Sequence, residues 1–256
     1  MLEIMRRYAY QFVNAHDLEA GRELMRDDYV LHVGPDTLVG RDEAYLPAVA
    51  GQFEQFPGLT YTIHDLLSDG TWTAVLFSEH GRSAREPGNA ASWLNLGIYR
   101  ADGDRLAECW VEQDFYGRRA QLDSGVPDSL QPVAVDPWDG HDAVPSLPAD
   151  AVVGAWAAQL RSWPPTGIRL DPGQASEEQP RIEVGDVVVN VCVTEGSRAA
   201  FIIELRGIYR GSFGFEERIG SPVRLWAGII AEVGDGTVRV GIGVSNRSAL
   251  FRQLRD

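Results

Sequence analysis

"LAECWVEQDFYGRRAQL", residues 106–122, sets Glu108, Trp110, Glu112 and Asp114 at every second position. A β-strand sends alternate side chains to opposite faces, so in a strand three carboxylates and an indole share one face. That face either meets water or lines a partly dry pocket. In a dry pocket the charged form of a carboxylate is disfavoured and its pKa rises. Such a group suits general acid or base work near pH 7. Alternation alone leaves the two placements open.

Upstream of this stretch, Ser68-Asp69-Gly70 and Asp102-Gly103-Asp104 are tight-turn signals. They separate strands expected at 59–67, 71–82, 91–100 and 105–115, with an irregular stretch at 85–90. Three helices come first. Leu2, Met5, Ala9 and Phe12 recur at helical spacing, Asp17 is placed to N-cap a helix over 18–26, and Pro57 and Gly58 close one over 43–56. "DYVLHV", 28–33, reads as a short strand. Helices followed by an antiparallel meander make an α+β layout, with the helices on one face of a curved sheet.

Downstream, residues 123–148 carry Pro127, Pro132, Pro137, Pro145 and Pro148 and no apolar period. They read as a linker. Trp138 within it needs something to pack on, so the linker is expected to drape over a surface. The earlier order then recurs: a helix over 150–163 and strands at 182–193, 199–206, 222–233 and 237–245. "YGRRAQL" (116–122) answers to "ALFRQL" (249–254). This is an internal duplication, with domains expected at 1–122 and 149–256.

The net charge of −14 and pI near 4.8 repel phosphate backbones and anionic lipid, so neither nucleic acid nor a membrane surface is an expected partner. Cys109 and Cys192 lie far apart without metal-ligand spacing, so neither a disulfide framework nor a metal site is expected. There is no apolar run of membrane-spanning length and no signal-peptide pattern, which points to the cytoplasm. A glycine-rich phosphate loop, HExxH and GxSxG are all missing, and no cofactor is expected.

The first half resembles the nuclear-transport-factor-2-like superfamily, and within it the SnoaL-like polyketide cyclases. The resemblance rests on "LEIMRRYAYQFVNAHDLEAGRELMRDDYVLHV", "GRDEAY", "FPGLTYTIHDLLSDGTWTAVLF" and the ending "YRADGDRLAECWVEQDFYG". The last three strands of the second half share it more weakly. It implies two tandem cone-shaped α+β barrels (cystatin-like), each sheet curled around an apolar cavity, the second degenerate. It further implies a buried acid/base Asp at Asp114, a partner His at His32 and the family tryptophan at Trp110. Val111 departs from the acid that many members carry after the Trp.

Three carboxylates cannot all stay ionised in one apolar cavity, so at least one belongs at the rim or with an arginine. Glu112 is a candidate for the substrate wall. Glu79, mid-strand between apolar neighbours, is a candidate second cavity acid. Tyr8, Phe12, Phe53 and Trp93 are expected as core or cavity lining, and Asn95 between two leucines as a ligand-orienting group. In the second domain Asn246, Ile242 and Val240 stand where Asp114, Trp110 and Glu108 stand in the first. Asn cannot exchange a proton near pH 7, and residues 164–180 replace two helices and a strand. That domain is expected to pair sheet against sheet with the first, as a built-in dimer; a homodimer of whole chains remains open.

The expected function is acid/base chemistry without a cofactor on a hydrophobic small molecule of secondary metabolism: cyclisation, isomerisation, dehydration or epoxide opening. The alternative is a non-catalytic binder or scaffold. An enclosed pocket exposing both Asp114 and His32 would favour the enzyme. Asp114 locked to an arginine such as Arg82 or Arg100 would favour the binder.

Overall fold

The computed structural model describes residues 1–85, 88–141, 149–172 and 179–256. Parts of the expected irregular stretch, of the linker (with Pro145 and Pro148) and of the 164–180 segment lie outside the described residues. The chain forms two six-stranded sheets, each with its own helices.

In the first lobe, α1 (Leu2–Arg7) continues as a wider π-helical turn over Tyr8–Val13. The Asp17 carboxylate accepts the Glu19 and Ala20 N–H groups and starts α2 (Leu18–Leu24). β1 (Met25–Val33) and β2 (Asp36–Val39) form a hairpin, and α3 (Leu46–Gln55) stops just before Pro57. Then come β3 (Thr60–Ser68), β4 (Trp72–Arg82), β5 (Ala90–Asp102) and β6 (Arg105–Gln113). α4 (Phe115–Ser124) follows at once.

The expected meander is only part of the sheet, whose order is β2-β1-β6-β5-β4-β3. β1 lies parallel to β6, with His32 beside Trp110. A parallel neighbour needs a crossover, which the helices and hairpins between the two strands supply. The last strand of this sheet also ends earlier than expected, at Gln113. Asp114 is not a strand residue: its carboxylate N-caps α4 by accepting the Gly117 N–H at 2.9 Å.

The second lobe has α5 (Ala149–Gln159), β7 (Ser162–Trp163), β8 (Ile168–Leu170), β9 (Ile182–Glu195), β10 (Arg198–Tyr209), β11 (Pro222–Gly234), β12 (Thr237–Ser245) and α6 (Arg247–Arg255). Its order is β7-β9-β10-β11-β12-β8, again with a parallel strand beside the last long one. Asn246 caps α6 through the Ala249 N–H at 3.0 Å, the counterpart of Asp114. Its inner face carries α5 and is packed with Trp163, Phe201 and Tyr209.

Alternation gives each sheet two apolar faces. In β4, Val75 and Phe77 point to the first lobe's inner core, while Ala74 and Leu76 point outward. In β5, Trp93 and Tyr99 point in, and Leu94, Leu96 and Ile98 point out. The outward rows meet Val191, Val193, Ala200, Ile202, Ile230 and Val244 of the second sheet. The lobes therefore pack sheet against sheet, and removal of these aliphatic faces from water drives the pairing. The linker drapes along β3: the Ala134 N–H donates to the Ile63 carbonyl at 3.0 Å, and Trp138 meets Tyr10 edge-on.

At Gly228 a Cβ would sit 3.0 Å from Leu96 Cδ2 of the facing sheet. Gly228→Val is expected to lower the unfolding free energy in urea by about 1–3 kcal/mol through overpacking. Gly154→Ala, on an open face of α5, should raise it by about 0.5–1 kcal/mol.

Candidate functional site

Between the inner face of the first sheet and its helices lies a cavity of about 390 Å³. Phe77, Tyr99, Cys109 and Val111 line it from the sheet, Tyr8, Phe12 and Phe53 from the helices, and Phe115 and Arg118 from α4. The Tyr8 and Tyr45 hydroxyls meet at 2.9 Å, and Tyr8 packs against Phe12, Tyr61 and Tyr99. Burial pushes the Tyr8 phenol and the Cys109 thiol far up, so both stay neutral at physiological pH.

Among the described residues the wall carries one carboxylate, Glu79. It is 7% exposed, and its Oε2 accepts the Trp93 indole N–H at 3.0 Å. Burial raises its pKa above the ordinary glutamate value of 4.5; the Gln52 amide, the nearby Arg118 charge and the indole hold part of that rise back. Gln113 also lines the wall, with its Oε1 buried and unpartnered. Asn95 is paired in register with Phe77 on one side and Gln113 on the other. It is buried, it donates to the Trp93 carbonyl at 3.2 Å, and its Oδ1 is free of hydrogen bonds. A carboxyl with a raised pKa, beside amides and a guanidinium in an apolar enclosure, can move a proton and hold an oxyanion.

Of the residues read from sequence, Tyr8, Phe12 and Phe53 line this cavity, while Trp93 and Asn95 stand on the same inner face. The alternating set does not reach it. Cys109, Val111 and Gln113 take the inner parity of β6, so Glu108, Trp110 and Glu112 take the outer one. His32 lies there too, stacked on Trp110 at 3.9 Å, with Nε2 3.4 Å from Glu108 and Nδ1 3.2 Å from the Thr37 hydroxyl. Burial lowers its pKa, opposed by Glu108. Neither His32 nor Asp114 lines the cavity.

Asp114 and Glu112 lie in the seam between the lobes. The Arg247 guanidinium donates to Asp114 Oδ1 at 2.6 Å, and its Nε lies 3.4 Å from Asp171. All three groups are buried. Burial and the neighbouring Asp171 raise the Asp114 pKa against the pull of Arg247. Asp171 also accepts the Ser245 N–H and hydroxyl. Glu112 accepts the Gly34 N–H at 3.1 Å and the Asn246 amide at 3.0 Å, and burial pushes its pKa up to about 8. The arginine that locks Asp114 comes from the other lobe and is neither Arg82 nor Arg100.

Sequence reasoning did not single out Arg118, Gln113 or Gln52. Arg118 was legible: Asp114, three residues ahead of Gly117, has the spacing of an N-cap, which would have turned "FYGRR" into a helix.

Residues 5–109 match the family model of the SnoaL-like domain. The first lobe is therefore similar to the SnoaL-like domain; the match stops short of Trp110 and leaves the second lobe outside it. Among solved structures, a loop-truncation variant of IdmH shares 25% identity over 48% of this chain and 99% of its own, at a TM-score of 0.43. Wild-type IdmH is a candidate polyketide cyclase of Streptomyces antibioticus. A candidate polyketide cyclase from Acidithiobacillus ferrooxidans shares 22% over 48% of this chain and 94% of its own, at 0.43. An epoxide hydrolase of the LEH-like type from M. tuberculosis shares 15% over 49% and 90%, at 0.42. No curated protein sequence matches the chain.

The seam makes stability depend on pH. The folded chain keeps the Glu112 proton up to about pH 8, whereas the unfolded chain releases it near 4.3. Stability is therefore expected to fall as pH rises between those values, by a few kcal/mol. In urea titrations from pH 6.5 to 8.5, Glu112→Gln should flatten that slope. An unaltered slope would show that another group sets it.

Proposed function

We propose that the first lobe is an acid/base enzyme acting on a hydrophobic small molecule held in its cavity. The observation that carries this is Glu79: the one carboxylate on the wall among the described residues, buried, with its pKa raised. Glu79 takes the role that Asp114 was expected to fill.

A single buried carboxylate facing amide and guanidinium groups suits removal of a proton α to a carbonyl, with the enolate oxygen received by those donors. Aldol-type cyclisation and isomerisation both begin with that step. Epoxide opening adds an acid for the ring oxygen and a directed water, and dehydration adds an acid for the substrate's departing hydroxyl, so each needs a second proton transfer beyond that step. On this reading residues 149–256 form a second domain without its own chemistry, joined through 123–148, whose seam holds α4 in place. We place the protein in cytoplasmic secondary metabolism; the free thiols Cys109 and Cys192 accord with a reducing compartment.

The test is deuterium exchange α to the carbonyl of 2-tetralone in D₂O, followed by NMR. The chain is expected to accelerate exchange, and Glu79→Gln to reduce the acceleration about 10²–10⁴-fold. The rate should fall as pH drops through the raised Glu79 pKa, giving an inflection above 4.5. Equal exchange by Glu79→Gln would remove the assignment. The binder reading has one observation on its side, the locking of Asp114 by Arg247. It predicts saturable ketone binding with exchange at the solvent rate.

A further inference from the structure

The same cavity holds a cation with more donors than one enolate oxygen uses. Arg118 reaches its wall from the first turn of α4. The guanidinium carbon lies 4.4 Å from the Phe115 ring centroid, 5.0 Å from Trp93 and 5.6 Å from Phe56. Three rings around one guanidinium fix its position and leave its N–H donors to bond in its own plane. Among the described residues no carboxylate lies within ion-pairing distance of Arg118, and none of its guanidinium donors is hydrogen-bonded. Its charge is felt by Glu79, and burial pulls its pKa down. A guanidinium nevertheless stays protonated. Arg85 adds a second cation to the same wall.

Among the described residues two cations and one carboxylate leave the wall at +1 with Glu79 ionised and +2 with it protonated, in a chain of net charge −14. A half-buried guanidinium without an ion pair is better satisfied once an anion joins it. The planar fork of Arg118 matches a carboxylate bidentately. A phosphate dianion would call for more charge than one ring-bound guanidinium and an exposed neighbour supply, and a neutral ligand would leave Arg118 unsatisfied.

We propose that the cavity takes an apolar small molecule bearing a carboxylate, its acid group on Arg118 with Arg85 beside it and its carbon skeleton against Phe53, Phe77 and Val111. This names the substrate class of the reaction assigned to Glu79 and rests on that reading for the reaction alone; the anion site stands without it. Anchoring the acid group at α4 would orient the reacting carbon toward Glu79, which is how binding energy becomes positioning.

The test compares 2-naphthoate with methyl 2-naphthoate, by calorimetry at pH 8 and low salt. The acid is expected to bind the wild-type chain at least about tenfold tighter than the ester, the scale of a charge-assisted bidentate pair. Arg118→Met, which keeps the chain length over the rings, should abolish the preference and leave the ester's affinity unchanged. Arg118→Lys should retain part of it, and serves if the methionine variant does not fold. Equal affinities in the wild type, a preserved preference in Arg118→Met, or binding of neither compound at millimolar concentration would overturn the proposal. Glu79→Gln separates the two readings. It should leave the acid preference intact while ending ketone exchange. Loss of the preference in Arg118→Met with exchange unaltered in Glu79→Gln would retain the anion site and remove the acid/base role.

Discussion

The ion pair between Asp114 and Arg247 holds the two lobes in one arrangement. Both groups are out of water; Arg247 and the Gly117 N–H answer the Asp114 carboxylate, and Asp114 and Asp171 answer the guanidinium. Removal of one member of such a pair generally costs about 3–5 kcal/mol, because the survivor stays buried and unpaired. The pair also sets where α4 begins. Asp114 caps the helix with its side chain, and its carbonyl accepts the Arg118 N–H at 3.0 Å. From that fixed start Phe115 and Arg118 turn into the cavity, while Tyr116 turns the other way onto Phe213 and Phe251. A contact from the second lobe thus positions the residues that close the first.

Desolvation acts on three carboxyls with three results. At Asp114 a cation answers the buried charge. At Glu112 two neutral donors answer it only partly, and the proton is held to about pH 8. At Glu79 an indole N–H and a nearby guanidinium moderate the rise, and the group faces open volume rather than packed protein. The first two are sealed from any ligand by the meeting of the sheets. Only the third combines a raised pKa with access, and access separates a reactive group from a structural one.

Much of the architecture was legible in the sequence because turns and periodicity are local signals. Asp17, the Pro57-Gly58 stop and the two Asp-Gly turns mark boundaries by chain chemistry alone. The parallel β1–β6 pairing was not legible, since a crossover leaves no local mark. The candidate site was half legible. Tyr8, Phe12 and Phe53 announce themselves as buried rings. Glu108, Trp110, Glu112 and Asp114 show true alternation, but a strand with an apolar residue on both parities does not say which face is which. Here Cys109 and Val111 took the cavity, and the second sheet covered the acidic face. That cover comes from more than a hundred residues away, and Arg247, which answers Asp114, carries no motif.

Because the two sheets belong to one polypeptide, their association is a folding step rather than an encounter between molecules. Dilution cannot separate them, and the seam persists at concentrations where an equivalent two-chain assembly would dissociate. Tethering also frees the halves from identity. In a homodimer every substitution appears on both sides of the axis, so an aspartate facing an arginine must be matched by its mirror image. A fused pair can keep Asp114 on one side and Asn246 on the other.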